Sequence, residues 1–231
     1  MNIAEFDSRQ KWPNCVHPIR DQGNCGSCYS FASSEVMSDR FCIFSNGSVN
    51  VVLSPQDLVT CSWYSFGCNG GIPGLVFDYI HKDGLVSDAC FPYLSYDGNT
   101  HVKCPDFCYN NKTKSFKSDK HFADKVYHVG EFLEDKAKRV LEIQKEILTH
   151  GPVNADFMVY SDFTVYKSGV YRHQTGSFEG IHAVKIIGWG TENGVDYWLI
   201  ANSWGTTFGL QGFFKIVRGG KFIHLEEKSS N

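Results

Sequence analysis

The chain has 231 residues, 42% hydrophobic and 20% charged, with a formal net charge of −3. That length holds one compact unit or two lobes around a shared cleft, with a core of real size, and the composition argues against disorder. No apolar run approaches the roughly 18 residues needed to cross a bilayer, and the scattered Lys and Arg argue against a nucleic-acid surface, which needs clustered positive charge.

In chain order, the glycines and polar residues of Asp21 to Ser27 predict a loop. From Tyr29 to about Phe44, apolar residues recur in steps of three and four (Phe31, Ala32, Val36, Met37, Phe41, Ile43), predicting a helix with one face on a core. Cys28 then falls in or beside the first helical turn. A second helix is expected near Leu75 to Lys82, stopping at Asp83-Gly84. Asp88 to about Asp124 lacks a period and is read as loops pinned by disulfides. A third helix is expected at Glu134 to Thr149, ending before Gly151-Pro152. Beyond it, Val153 to Tyr160, His182 to Trp189, Tyr197 to Asn202 and Gly212 to Val217 are short and rich in β-branched and aromatic residues, and they read as strands. A helical first half and a stranded second half predict two lobes with the function in the groove between them. There is no internal repeat or low-complexity linker.

The nine cysteines (15, 25, 28, 42, 61, 68, 90, 104 and 108) all lie in the first half. The odd total suggests four disulfides and one free thiol. Four bridges would not persist in reducing cytosol, so a lysosomal, vacuolar or secreted location is expected. The sequons at Asn46 and Asn111 are candidate glycosylation sites on such a route. The chain opens without a basic-then-apolar leader, which favours a mature form.

Chemistry concentrates at three places. The first is Gln22-Gly23-Asn24-Cys25-Gly26-Ser27-Cys28-Tyr29. A cysteine attacks as the thiolate, and both unpaired N–H groups at a helix start and an adjacent imidazolium favour that anion. Taken alone, Cys25-x-x-Cys28 also fits a redox or zinc pair. The second is His182, which opens an apolar strand and would by itself pass for a core residue. The third is Asn202-Ser203-Trp204-Gly205. The Asn202 amide oxygen can accept an imidazole N–H and fix the ring, and Trp204 can shield that bond from water.

Taken in order, Gln22, Cys28, His182 and Asn202 resemble the four active-site positions of the papain-like cysteine peptidases, over nearly the whole chain. The cathepsin B branch is the nearest likeness, carried by Ile19-Arg20-Asp21-Gln22, Cys68-Asn69-Gly70-Gly71, Asp119-Lys120-His121, Tyr160-Ser161-Asp162-Phe163, Tyr166 to Tyr171 and Gly212 to Ile216. The separation of 154 residues between Cys28 and His182 exceeds the roughly 130–150 of papain and similar cathepsins, as an insertion would produce.

The resemblance implies an α+β papain-like fold. Its helical, disulfide-rich left lobe would span residues 11–115, and its β-barrel-like right lobe residues 1–10 and 116–231, with the C-terminal segment able to cross back. It implies the bridges Cys15–Cys42, Cys25–Cys68, Cys61–Cys104 and Cys90–Cys108, with Cys28 free. It also implies an oxyanion site from the Gln22 amide and the Cys28 N–H, and a substrate strand along Gly70 and Gly71. The pocket for the second residue before the cut would be lined by Pro73, Ile181, Ala183 and Glu226, with Trp204 nearby. Ile181 stands where cathepsin B has Gly and should narrow that pocket; Glu226 at its floor would accept Arg. Tyr29 and Phe208 stand where Trp is usual.

Cathepsin B carries an occluding loop with two adjacent histidines, but only 13 residues, Phe91 to Lys103, separate Cys90 from Cys104 here, with His101 alone. An open cleft and endopeptidase action are therefore expected. No cofactor or metal is implied. The implied partners are protein and peptide substrates, the chain's own propeptide and cystatin-type inhibitors, and a monomer is expected. The rival readings are a catalytically silent homologue that only binds, and a zinc- or redox-active protein.

Overall fold

The computed structural model describes residues 3–100, 102–130 and 133–219, and the backbone of 223–224. The chain begins with β1 (Phe6–Asp7) and a single turn, α1 (Ser8–Lys11), capped by the Asp7 side chain. The long helix α2 (Cys28–Phe44) follows, then α3 (Pro55–Cys61) and α4 (Pro73–Lys82). A hairpin, β2 (Phe107–Cys108) with β3 (Asn111–Ser115), leads through a 3-10 turn at Phe116–Asp119 to α5 (Lys136–His150). The remainder is stranded: β4 (Val153–Tyr160), β5 (Val170–Tyr171), β6 (Phe178–Glu192), β7 (Val195–Ala201), β8 (Phe213–Val217) and β9 (Ile223–His224).

One sheet runs in the order β5-β8-β7-β6-β4-β9, with β1 on the far end of β6. Among the described residues this path stays open, so the right side is a curved sheet and the expected barrel does not close. β6 is its spine, pairing antiparallel with β4, β7 and β1. It starts four residues before the predicted strand. The 178–181 stretch alternates poorly in hydrophobicity, and it is extended because β4 offers a partner as far as Tyr160.

Two further elements escape the sequence pattern. Helix α3 begins with Pro55 in its first turn and the Ser54 hydroxyl accepting from the Asp57 N–H at 3.1 Å, an ordinary helix start. The β2–β3 hairpin lies in the segment read as loops.

Helix α2 departs most from expectation. It is buried nearly all round, including Ser30, Ser33, Ser34, Glu35, Ser38, Asp39 and Arg40. It touches α3, α4 and α5 as well as β4 and β6, so no face is left to solvent. Polar side chains survive there by pairing. Arg40 donates to the carbonyls of Gly151 and Pro152 and to Glu146, and Asn154 donates to Ser33.

Two large cores flank this helix. One gathers Tyr29, Met37, Leu58, Phe77 and Ile80 with Ala183; the other gathers Ile147, Phe157, Phe163, Trp198 and Phe214 over the sheet. Four disulfides close the first half: Cys15–Cys42, Cys25–Cys68, Cys61–Cys104 and Cys90–Cys108. Cys28 is the one cysteine outside them.

Candidate active site

Cys28 opens α2, and the turn before it is shaped by backbone contacts. The Gly26 N–H donates to the Cys68 carbonyl at 2.9 Å, and a side chain on Gly26 would lie 2.5 Å from that carbonyl oxygen. Only glycine lets the loop before Cys28 lie this close to the Cys25–Cys68 bridge. That bridge also removes the zinc or redox reading of Cys25-x-x-Cys28, because Cys25 has no free thiol.

His182 lies on β6, opposite Phe157 of β4, and its neighbour Ala183 turns to the helical core. The Ala183 N–H faces the Cys28 sulfur, which joins the first residue of the helix to the strand bearing the imidazole. His182 Nε2 donates to Asn202 Oδ1 at 2.7 Å, and the Ser203 N–H donates to the same oxygen at 2.9 Å. Two donors on one atom fix which end of the amide is oxygen. Neutral His182 therefore carries its hydrogen on Nε2 and keeps the Nδ1 lone pair for a proton. The Trp204 ring lies over the imidazole with centroids 4.7 Å apart, and Phe208 braces Trp204 edge-on at 4.9 Å.

Gln22 is buried in the same place. Its Nε2 donates to the Cys25 carbonyl at 2.9 Å, and its Oε1 accepts from the Ser203 hydroxyl at 2.7 Å. An amide has two N–H hydrogens, so one remains for a ligand. Ser203 thus connects the Asn202 segment to the Gln22 loop, a role that the segment's spacing alone did not disclose. Tyr93 is a second unforeseen support: its hydroxyl donates to the Gln22 carbonyl at 2.9 Å and lies 2.8 Å from Ser27 Oγ.

Burial works against either charge of the pair made alone. Burial pushes the Cys28 thiol up to about 11, against N–H groups of Ala183, Tyr29 and Cys28 that favour the anion, while Asp156 on β4 adds to the rise. Burial likewise pushes His182 down to about 4, opposed by its bond to Asn202. The helix start alone therefore does not make a thiolate. Each charge made singly is disfavoured; moving the proton from Sγ to the imidazole makes both at once, and their attraction offsets part of the desolvation.

Gly70 and Gly71, the expected substrate edge, lie in a tightly packed loop. Gly70 has φ +104°, and a side chain on Gly71 would strike the Tyr29 ring at 2.7 Å. The Tyr29 hydroxyl donates to the Gly67 carbonyl at 2.9 Å, so Tyr29 floors this loop. Phe66, 68% exposed, donates its N–H to the Gly70 carbonyl, and Trp63 beside it is 82% exposed. Of the expected pocket residues, Pro73 starts α4 and is buried, Ala183 is buried, and Ile181 stands 66% exposed. Glu226 and His101 lie outside the described residues. Asn46 and Asn111 are both exposed. Cys90, Cys108 and Asp119 cluster as metal ligands might, yet the two sulfurs are bonded to each other and Asp119 accepts from Ser87.

Comparison with known proteins agrees with this geometry. The profile described as papain family cysteine protease matches residues 3–231. Cathepsin B-like cysteine proteinase 4 of Caenorhabditis elegans is 43% identical over 250 residues, covering 96% of this chain and 72% of that protein. Cathepsin B-like cysteine proteinase 3 of the same organism is 44% identical over 238 residues, covering 96% and 63%. The chain therefore spans about two thirds of the length of these curated relatives. Among solved structures, procathepsin B S9 from Trypanosoma congolense superposes with a TM-score of 0.85 at 33% identity, covering 98% of this chain and 78% of that one. Procathepsin L2 from the larval midgut of Tenebrio molitor superposes at 0.77 with 28% identity, covering 100% and 69%. With its α+β papain-like fold, the chain belongs to the papain family of cysteine proteases, close to the cathepsin B-like proteinases.

Proposed function

We propose that the protein is a cysteine endopeptidase in which Cys28 attacks the peptide carbonyl and His182 relays the proton. The observation that carries this reading is the 2.7 Å bond from His182 Nε2 to Asn202, which leaves Nδ1 as the proton acceptor, together with the Ala183 N–H against the Cys28 sulfur.

The cycle begins with transfer of the thiol proton to His182, giving thiolate and imidazolium. Sulfur adds to the carbonyl, and the Cys28 N–H and the second Gln22 amide hydrogen receive the oxyanion. His182 protonates the departing amine as the C–N bond breaks, leaving a thioester on Cys28. Water, deprotonated by His182, then hydrolyses it. The silent-homologue reading would have predicted loss of one of these groups, and all four are present.

The proton count gives a sharp test. Thiol with imidazole and thiolate with imidazolium hold the same number of protons, so pH does not shift one against the other. Alkylation of Cys28 by iodoacetamide should therefore be fast on a plateau reaching down towards pH 4, and Cys28→Ala should abolish both labelling and hydrolysis of a fluorogenic peptide. Alkylation that rises only with a midpoint near 11 would mean an isolated buried thiol and a protein that only binds.

Residues 11–115 and residues 1–10 with 116–231 form the two walls of the cleft in this reading. Substrate lies along Gly70 and Gly71, with its second residue before the cut near Pro73, Ile181, Ala183 and Glu226. The short segment after Cys90 supports an open cleft. Its first half is held against the left wall, where the Asn24 N–H donates to the Tyr96 carbonyl and Gln56 bonds Ser95. Internal cleavage without dipeptide release from an N-blocked peptide is the expected product pattern; successive C-terminal dipeptides would overturn it. Likeness to procathepsins supports synthesis with an inhibitory propeptide. Cystatin-type inhibitors would occupy the same cleft. Four disulfides and two exposed sequons support a lysosomal, vacuolar or secreted site of action; among the described residues no helix is long and apolar enough to cross a membrane.

A further inference from the structure

We infer that Lys185 is a positioning residue for the Cys28–His182 pair, its buried ammonium setting how strand β6 sits against helix α2. This rests on the peptidase reading above. Lys185 follows His182 by three residues on β6 and is 1% exposed. Its Nζ lies 2.8 Å from Asp39 Oδ2 and 3.3 Å from Glu35 Oε2. Asp39 and Glu35 both belong to α2, whose first residue is Cys28. At 3.6 residues per turn, positions 28, 35 and 39 fall on one stripe of that helix, two and three turns apart. Ala183 and Lys185 point to the same side of β6, since strand side chains alternate. The same stripe and strand face therefore meet twice, once at Cys28 with Ala183 and once at Asp39 and Glu35 with Lys185.

A buried ion cluster is weak evidence for stability, because apolar groups of equal volume often do as well. What charge adds is direction. The N–H···O bonds of an ammonium held between two carboxylates have preferred distances and angles, which fix one register between strand and helix. The cluster is also anchored from a third segment, since the His17 N–H and Nδ1 both bond Asp39 Oδ1, at 2.9 and 2.7 Å. Glu35 Oε1 has no hydrogen-bond partner, so Glu35 is held in place by Lys185 rather than by a network of its own. A slip of β6 along α2 would move the imidazole away from the sulfur.

The test compares the wild type with Lys185→Arg, Asp39→Asn and the paired apolar replacement Lys185→Met/Asp39→Leu. Each is followed by thermal unfolding, by kcat and KM on a peptide substrate, and by the pH profile of Cys28 alkylation. We expect the paired variant, folded, to lose tenfold or more in kcat with KM within about threefold, and its alkylation plateau to retreat to higher pH. Lys185→Arg should keep at least a third of kcat and the wild-type profile. A folded paired variant with unchanged kcat and profile would overturn the proposal. Should that variant not fold, Asp39→Asn decides by the same two readouts, because it keeps the shape and loses the charge. A purely packing role would lower the unfolding temperature and leave the alkylation profile of the folded molecules where it was. If wild type itself shows no alkylation plateau, the peptidase reading fails rather than this one.

Discussion

The two sides of the molecule are stabilised by different means. The sheet side is an apolar construction in which Phe157, Phe163, Trp198 and Phe214 interlock, with ring centroids of 4.8 Å between Phe163 and Phe214. The helical side has smaller apolar clusters and carries all four disulfides within its first 108 residues. Buried polar pairs supplement it, including Lys120 against Asp57 at 2.7 Å and Tyr79 donating to Asp57 at 3.0 Å. One side therefore responds to lost volume, and the other to lost charge partners or lost cross-links. Helix α2 belongs to the helical side through Tyr29 and Met37, and its polar residues are where the two constructions meet.

Breaking that contact should cost most. Arg40→Met leaves Glu146 and two carbonyls buried without their partner, and a loss of about 3–5 kcal/mol is expected in denaturant unfolding. Its pH dependence has a definite sign. Burial would raise the Glu146 pKa, but Arg40, Tyr127 and His150 outweigh it and hold it below the usual carboxylate value. This stabilisation is present above the unfolded value and lost as pH falls through the lowered one, so Arg40→Met should begin acid unfolding at higher pH than wild type. Phe163→Ala tests the other construction. It should also cost about 3–5 kcal/mol, through a cavity and without that shift in acid onset. Equal acid behaviour in the two variants would erase the distinction.

A smaller effect is expected at the proposed oxyanion site. Gln22→Ala should lower kcat by about 100- to 1,000-fold, measured on a peptide substrate with molecules shown by thermal unfolding to be folded. Loss of the Cys90–Cys108 bridge through a double Ser replacement opens a loop of 18 residues and should cost about 3 kcal/mol, with the sheet side unaffected in hydrogen exchange. The smallest change, Gly71→Ala, drives a methyl group into the Tyr29 ring and should cost about 1–3 kcal/mol; Tyr29→Leu should relieve much of it, as a double-mutant cycle would show.

What the sequence disclosed follows from how local each signal is. Cys28, His182 and Asn202 sit in short segments whose residues carry the message themselves. The start of α3 is equally local, in Ser54-Pro55, but its helix has only seven residues, and Gln56, Asp57 and Thr60 are polar. Gln56 bonds Ser95, and Asp57 bonds Val86 and Lys120, partners 29 to 63 residues away along the chain. Lys185 is the extreme case: it stands within an apolar strand, and the nearer of its two carboxylate partners, Asp39, is 146 residues away. The all-round burial of α2 was hidden for the same reason, since its apolar spacing gave one face and the polar partners on the others are remote. The β6 start at Phe178 was set by β4 alone.

The four bridges differ in shelter. Cys15, Cys42, Cys25, Cys90 and Cys108 are buried and Cys68 is half-buried, whereas Cys104 is exposed and its partner Cys61 half-buried. Exchange with an outside thiol requires access to a sulfur. A reductant sufficient to keep Cys28 as the free thiol would thus open Cys61–Cys104 first, untying α3 from the segment around Cys104 while the fully buried Cys15–Cys42 and Cys90–Cys108 bonds persist. Over-reduction would be felt as a change in which substrates fit before it was felt as unfolding.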